Sequence, residues 1–171
     1  MHSFVSRTAL SVVAVCALTA AACSSSSSSG NTPPVDSGGA QSLYDKYGGA
    51  PTVKKVVDDA VAGVLADPKE APFFGVVGTS GHGSVDRLKG CLVLQFTVLL
   101  GGPGTYPGKN ANGDDCKDMT AVHKDLGITS DVFDQFITDL AGVLKKDGVS
   151  DADIAKIAPA LTGMKGQIVT K

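Results

Sequence analysis

Tryptophan is absent from this chain, aromatic residues make up only 5% of it, and histidine occurs three times. With so few rings, a core must be filled by aliphatic side chains; 43% hydrophobic content over 171 residues suffices for one domain, not two. A surplus of positive charge is also missing, since 15 Lys and Arg stand against 17 Asp and Glu for a formal net charge of −2. No basic stripe is available to neutralise phosphates, so nucleic acid is excluded as a partner. Nor does any window alternate apolar and polar residues over a useful length. No sheet is expected.

What is there begins with an apolar run. His2 and Arg7 give a weakly positive start, and "ALSVVAVCALTAAA" is too short to span a bilayer comfortably and ends in small residues. Residues 1–23 therefore read as an export signal. Cys23, after Ala-Ala-Ala and before "SSSSSSG", resembles the cysteine of a bacterial lipoprotein signal, which is lipidated and becomes the mature N-terminus. That resemblance implies an exported protein on the periplasmic or cell-surface side, held to a bacterial membrane by a lipid anchor only. The alternative is an ordinary secretory signal cleaved nearby. Residues 24–40, "SSSSSSGNTPPVDSGGA", carry almost nothing that could enter a core and read as a flexible linker.

Export also settles the cysteine arithmetic. Of the four cysteines, Cys16 lies in the leader and Cys23 is the lipidation candidate, leaving Cys91 and Cys116. Outside the cytoplasm such a pair is a disulfide candidate, worth about 3 kcal/mol for a loop of this size. Two free thiols are the alternative.

Residues 41–171 form the domain, and every strong periodicity in them is helical. "SLYD" at 42–45 starts a short helix that Gly48-Gly49 stops. Pro51 suits the first turn of a second helix, with Val53, Val56, Val57, Ala60, Val61, Val64 and Leu65 on one stripe. After "APFF" and a glycine-rich loop, a third runs from about Val85 to Leu100, with Leu88, Leu92, Gln95, Phe96 and Leu99 inward and "GGP" ending it. "MTAVHKDLGIT" adds about two helical turns. The next helix, Ser130 to Lys146, buries Val132, Phe133, Phe136, Ile137, Leu140, Val143 and Leu144, with Gly148 as its cap. Ser150 and Asp153 begin the last, carrying Ile154, Ile157, Leu161 and Met164, which Pro159 should kink or end. The fold class is all-α, with four substantial helices and two small ones.

Residues 101–118 form a long irregular stretch that a domain this small retains for some reason, and it leads to His123. From the local pattern His123 can be a solvated helix residue, a satisfied buried histidine or a metal ligand, and the first fits best. CxxC and HExxH spacings are absent, so zinc finds no ligand set. CxxCH is absent too, which excludes covalent c-type haem. A haem held by one axial histidine needs only a deep apolar slot, which Phe74, Phe96, Phe133 and Met119 could line.

In their order along the chain, "SLYDKYGG", "VVDDAVAGVLADP", "APFF", "RLKG…FTVLLGGP", "MTAVHKDLGIT" and "IAPALTGMKGQIV" resemble a group 1 truncated haemoglobin. The resemblance implies two helices folded over two around haem b (iron protoporphyrin IX, non-covalent), with the glycine pairs 48–49 and 101–102 at the breaks. It implies that His123 is the proximal iron ligand and that its second ring nitrogen donates to a backbone carbonyl near Met119. Phe74 would pack on the porphyrin face, Tyr106 matches the tyrosine after "GGP", and Leu88, Leu92, Phe96, Met119, Ile128 and Phe133 would also contact the cofactor. The ligands implied are O2, NO and CO, with an unidentified reductase as a further partner.

The sequence departs from that family on the distal side. Phe-Tyr is common where Ala60-Val61 stands, and the tyrosine hydroxyl donates to bound oxygen; Val61 cannot. Leu88 and Leu92, the latter where glutamine is often found, make the rest of the distal pocket aliphatic. Gln95 could partly substitute, although a bond to backbone or water suits it better, and His82 reads as a solvated loop residue. Cys91 sits where relatives often place a basic residue near the haem propionates. Two other functions stay open at this point. One is an NO dioxygenase that converts NO to nitrate, and the other is a haem-free structural lipoprotein of globin fold.

Overall fold

The computed structural model describes residues 41–75, 77 and 83–171. The leader, Cys23, the linker and His82 lie outside the described residues. Ser42 caps the first helix: its hydroxyl accepts from the Asp45 amide at 3.1 Å, and α1 runs Leu43–Lys46. Gly49, at φ +73°, turns the chain into α2, Ala50–Ala66, with Pro51 in its first turn. The expected stripe of α2 is buried as far as Val64, but Leu65 is 47% exposed because it falls a step past the inward face.

"APFF" forms a one-turn helix, α3, Ala71–Phe74, which periodicity cannot detect in four residues. Ser84 caps α4, Val85–Leu99, by accepting from the Arg87 amide. α5 is Met119–His123, α6 is Ser130–Lys146, α7 is Asp151–Thr162 and α8 is Lys165–Ile168. The four substantial helices are thus as expected, but four short ones accompany them among the described residues. Pro159 lies within α7 without ending it: the helix continues to Thr162 while Ile157 and Leu161, on either side, are buried. Losing one backbone bond is offset there by core packing.

The expectation of no sheet is corrected. β1, Gly108–Lys109, and β2, Asp115–Cys116, form an antiparallel ribbon pairing Gly108 with Cys116 and Lys109 with Asp115. Two-residue strands leave no alternation to read. Asn110 organises the turn instead, its side-chain oxygen accepting from the amides of Asn112 and Asp114 at 3.0 and 2.9 Å. Gly90 of α4 lets this ribbon lie close, since a Cβ there would collide with the Asn110 amide.

α2 packs on α4 and α6, and α6 on α7, which sets one helix pair over the other. Leu43, Val57 and Leu140 are nearly inaccessible at its centre. Each such side chain contributes about 1.5–3 kcal/mol. At one edge Asp153, 1% exposed, accepts from Lys156, Lys46 and Tyr47 at 2.7, 2.5 and 2.7 Å, tying α1 to α7. These donors, Lys156 first, hold its carboxyl well below the usual carboxylate range. Among the described residues no helix is long and apolar enough to cross a membrane.

Candidate functional site

α5 is short, and its position is fixed from both ends. Asp118 caps it, its carboxylate accepting from the Ala121 amide at 2.9 Å. Beyond it, the carbonyl of Ile128 accepts from the amides of Thr170 and Lys171 at 2.9 and 3.2 Å, and the Thr170 hydroxyl accepts from Gly127. The C-terminal tail thereby clamps the segment that follows His123.

The imidazole of His123 is itself oriented. Nδ1 lies 2.8 Å from the carbonyl oxygen of Met119 one turn earlier and donates to it. This fixes the tautomer and leaves Nε2 with its lone pair. Burial pulls the imidazole below its ordinary pKa, against the opposing effect of the Met119 bond, so the ring is neutral near pH 7. A neutral ring with one satisfied nitrogen is what a metal requires of a histidine. Among the described residues there is no group of three or more His, Cys, Asp or Glu able to chelate a metal by itself.

His123 faces an apolar cavity between the helices, open to solvent at one side. Every cofactor-contact and distal residue expected from the sequence lines it: Phe74 from α3, Val61 from α2, Leu88, Leu92, Gln95 and Phe96 from α4, Met119 from α5, Phe133 from α6, and Ile128 from the connecting loop. Such an apolar lining with few polar groups suits a flat hydrophobic ligand and disfavours water. A single axial imidazole on a greasy slot fits haem and does not fit a bare metal ion.

Two details differ from expectation. Gln95 is buried rather than at the helix edge, and its amide donates to the sulfur of Met164 at 3.2 Å within the core. Glu70, unremarked in the sequence, lines the cavity at 2% exposure with neither carboxylate oxygen bonded among the described residues. Burial first, and the nearby carboxylates of Asp139 and Asp67 next, push its carboxyl up to about 7. No periodicity reveals an acid buried within a polar "DPKE" turn.

A second, more polar recess shares Leu88, Leu92, Gln95 and Met119 with the cavity and continues it outward between α4 and α5. Arg87, Lys117 and Lys124 stand around this recess, and so do Cys91 and Cys116, which are bonded to each other. Tyr106 also faces it, donating to the Lys117 carbonyl at 2.8 Å; burial pushes its hydroxyl up to about 12.

Residues 42–170 match the family model described as bacterial-like globin. A group 1 truncated haemoglobin of Tetrahymena pyriformis is 32% identical over 77% of this chain and 97% of its own length. One from Mycolicibacterium paratuberculosis is 33% identical over 75% of this chain and 85% of its own. The fold is similar to the crystal structure of the T. pyriformis protein in its Fe(III) form, with a TM-score of 0.62 and 31% identity over 77% of this chain and all of that one. It is similar as well to the 2/2 haemoglobin of a Synechococcus species in the cyanomet state with covalently attached haem, with a TM-score of 0.64 and 27% identity, over 77% of this chain and all of that one. The chain belongs to the bacterial-like globins and is a truncated globin of two-over-two fold, a family whose cofactor is haem and whose ligands are diatomic gases.

Proposed function

We propose that this protein binds haem b non-covalently through His123 and uses it to bind O2, NO or CO reversibly, as an exported domain tethered to a bacterial membrane through Cys23. The observation that carries this reading is the His123 imidazole, fixed by Met119 and facing an apolar cavity. Haem, when bound, supplies an iron position open to a diatomic gas. The chain supplies the rest. Phe74, Phe96, Phe133, Met119 and Ile128 keep water out, while Arg87, Lys117 and Lys124 bring to the outer recess positive charge that would favour the cofactor's carboxylates.

Among the described residues Val61, Leu88 and Leu92 give the distal side no hydrogen-bond donor, and the Gln95 amide is engaged with Met164. Bound O2 carries partial negative charge and profits from a donor more than CO or NO does, so O2 is held weakly here. A one-electron reductase of unidentified kind is needed to keep the iron ferrous. The disulfide supports export, because such bonds persist in oxidising compartments. The lipid anchor rests on Cys23 and the small residues before it.

The absorption spectrum of the purified protein, before and after dithionite and then CO, tests the haem reading. A Soret band that shifts at each step is expected; no band, and no uptake of added hemin, would overturn it. Incorporation of labelled fatty acid that disappears on Cys23→Ser tests the tether, and an unlabelled native protein would overturn that part.

A further inference from the structure

Glu70 is the one feature of the cavity that the gas-binding reading does not use. A carboxyl group 2% exposed is normally paired with a cation or bonded by backbone amides. This one has neither among the described residues: both oxygens lack a partner, and the charged groups bearing on it are acidic. Asp139 approaches from α6, where Gln135 holds it at 3.0 and 3.1 Å, and Asp67 from the turn after α2. Among the described residues the other ionisable side chain on the cavity wall is His123, neutral and fixed to Met119.

The local chain is built to point the carboxyl inward. Asp67 accepts from the amides of Lys69 and Glu70 at 2.7 and 3.2 Å, and the amide of Ala71 donates to the Asp67 carbonyl at 2.9 Å. That turn seats Glu70 on the cavity wall that Phe73, Phe74, Phe133 and Phe136 also line. A leucine would fill such a place without penalty. A lone acid there instead gives an apolar cavity one site that can gain or lose a proton.

We propose that Glu70 is a proton site coupled to the oxidation state of the haem iron, taking up a proton when the iron is reduced and releasing it when the iron is oxidised. This rests on the haem reading above. The step balances as follows: one electron, from a one-electron donor outside the protein, converts Fe(III) to Fe(II), and one proton from solvent converts the Glu70 carboxylate to the carboxylic acid. The physical cause is charge. Ferric haem carries one more positive charge than ferrous haem, and in a cavity of low dielectric that charge favours the ionised carboxyl. Reduction removes it, and the neutral acid becomes the stable form. By linkage the coupling is reciprocal, so the reduction potential falls as pH rises between the two proton affinities of Glu70. The group would also let an electron enter the buried site with no net charge added, which suits a cavity with so few polar atoms.

The test is redox titration of the haem-loaded protein, followed at the Soret band from pH 5 to pH 8, for the native chain and for Glu70→Gln. A roughly three- to tenfold difference in proton affinity between the ferric and ferrous forms is expected; tenfold is equivalent to 59 mV across the range. Glu70→Gln should flatten the dependence while leaving haem bound. Parallel curves for the two proteins would overturn the proposal while leaving the haem reading intact; a native protein that takes up no haem would overturn both. Should Glu70→Gln not fold, infrared difference spectra of the native protein on reduction decide the matter: a carboxylic-acid carbonyl band gained on reduction supports the assignment, and its absence between pH 5 and pH 8 refutes it.

Discussion

Cys91 on α4 and Cys116 on β2 are bonded, their Cα atoms 5.4 Å apart. Two residues after Cys116, Asp118 caps the helix that ends at His123, so the bond ties the approach to the imidazole to the opposite wall of the cavity. Closing a loop of 25 residues stabilises the fold by about 3.5 kcal/mol through the unfolded chain. Thermal unfolding with and without dithiothreitol should therefore show a melting temperature about 10 °C lower when the bond is reduced. Haem transfer to an acceptor globin should also be faster. If neither changes, the bond is incidental to both stability and haem retention.

Replacing His123 by alanine removes the imidazole that the described residues bring to the cavity wall and leaves the Met119 carbonyl without its partner. On the proposed reading haem would lose the imidazole that holds it but keep the apolar slot. Weak, spectrally altered binding is expected, with the Soret band of native protein lost and partly restored by added imidazole. An unaltered spectrum would show that another residue holds the iron.

Val61→Tyr places a hydroxyl on the α2 face that lines the cavity, where the native side chain is 3% exposed and can donate nothing. A donor to partially charged O2 is worth about 1.5–3 kcal/mol, or roughly 10- to 100-fold. Stopped-flow measurement should find O2 dissociation slowed by that order and CO dissociation changed far less. Equal effects on both gases would mean that the tyrosine acts by filling space.

What could be read from the sequence followed from residues that repeat or punctuate. The stripes of α2, α4 and α6 recur every three to four positions, and Ser42 and Ser150 accept from the amides at their helix starts. His123 was found because histidine is rare and because the motifs around it come in a recognisable order. The rest lacked any such signal. The ribbon of β1 and β2 is held by Asn110 and a disulfide, contacts that two-residue strands do not announce. α3 and α8 are single turns. Gln95 sat correctly on the inward stripe, but its partner, Met164, lies 69 positions away, and only folding brings the two together. Glu70 carries no signal for a related reason: a charged residue in a turn is ordinarily solvated, and its burial on the cavity wall is set by the folded chain.

That burial has a consequence for stability that is separate from any role toward haem. The carboxyl of Glu70 is raised from 4.5 to about 7 by desolvation and by Asp139 and Asp67. The folded protein therefore holds this proton more tightly than the unfolded chain. The sign follows: below pH 4.5 both states are protonated and the group costs little, and as pH rises toward 7 the unfolded chain ionises first, so the folded state loses ground. Above that range the loss is complete, on the order of 2–3 kcal/mol. Urea unfolding of the haem-free protein should accordingly show the native chain falling behind Glu70→Leu between pH 4.5 and pH 7, with the gap constant at higher pH. A gap that is the same at every pH would mean that Glu70 is solvated in the folded chain. A gap that narrows as pH rises would mean that an unseen cation stabilises its charge.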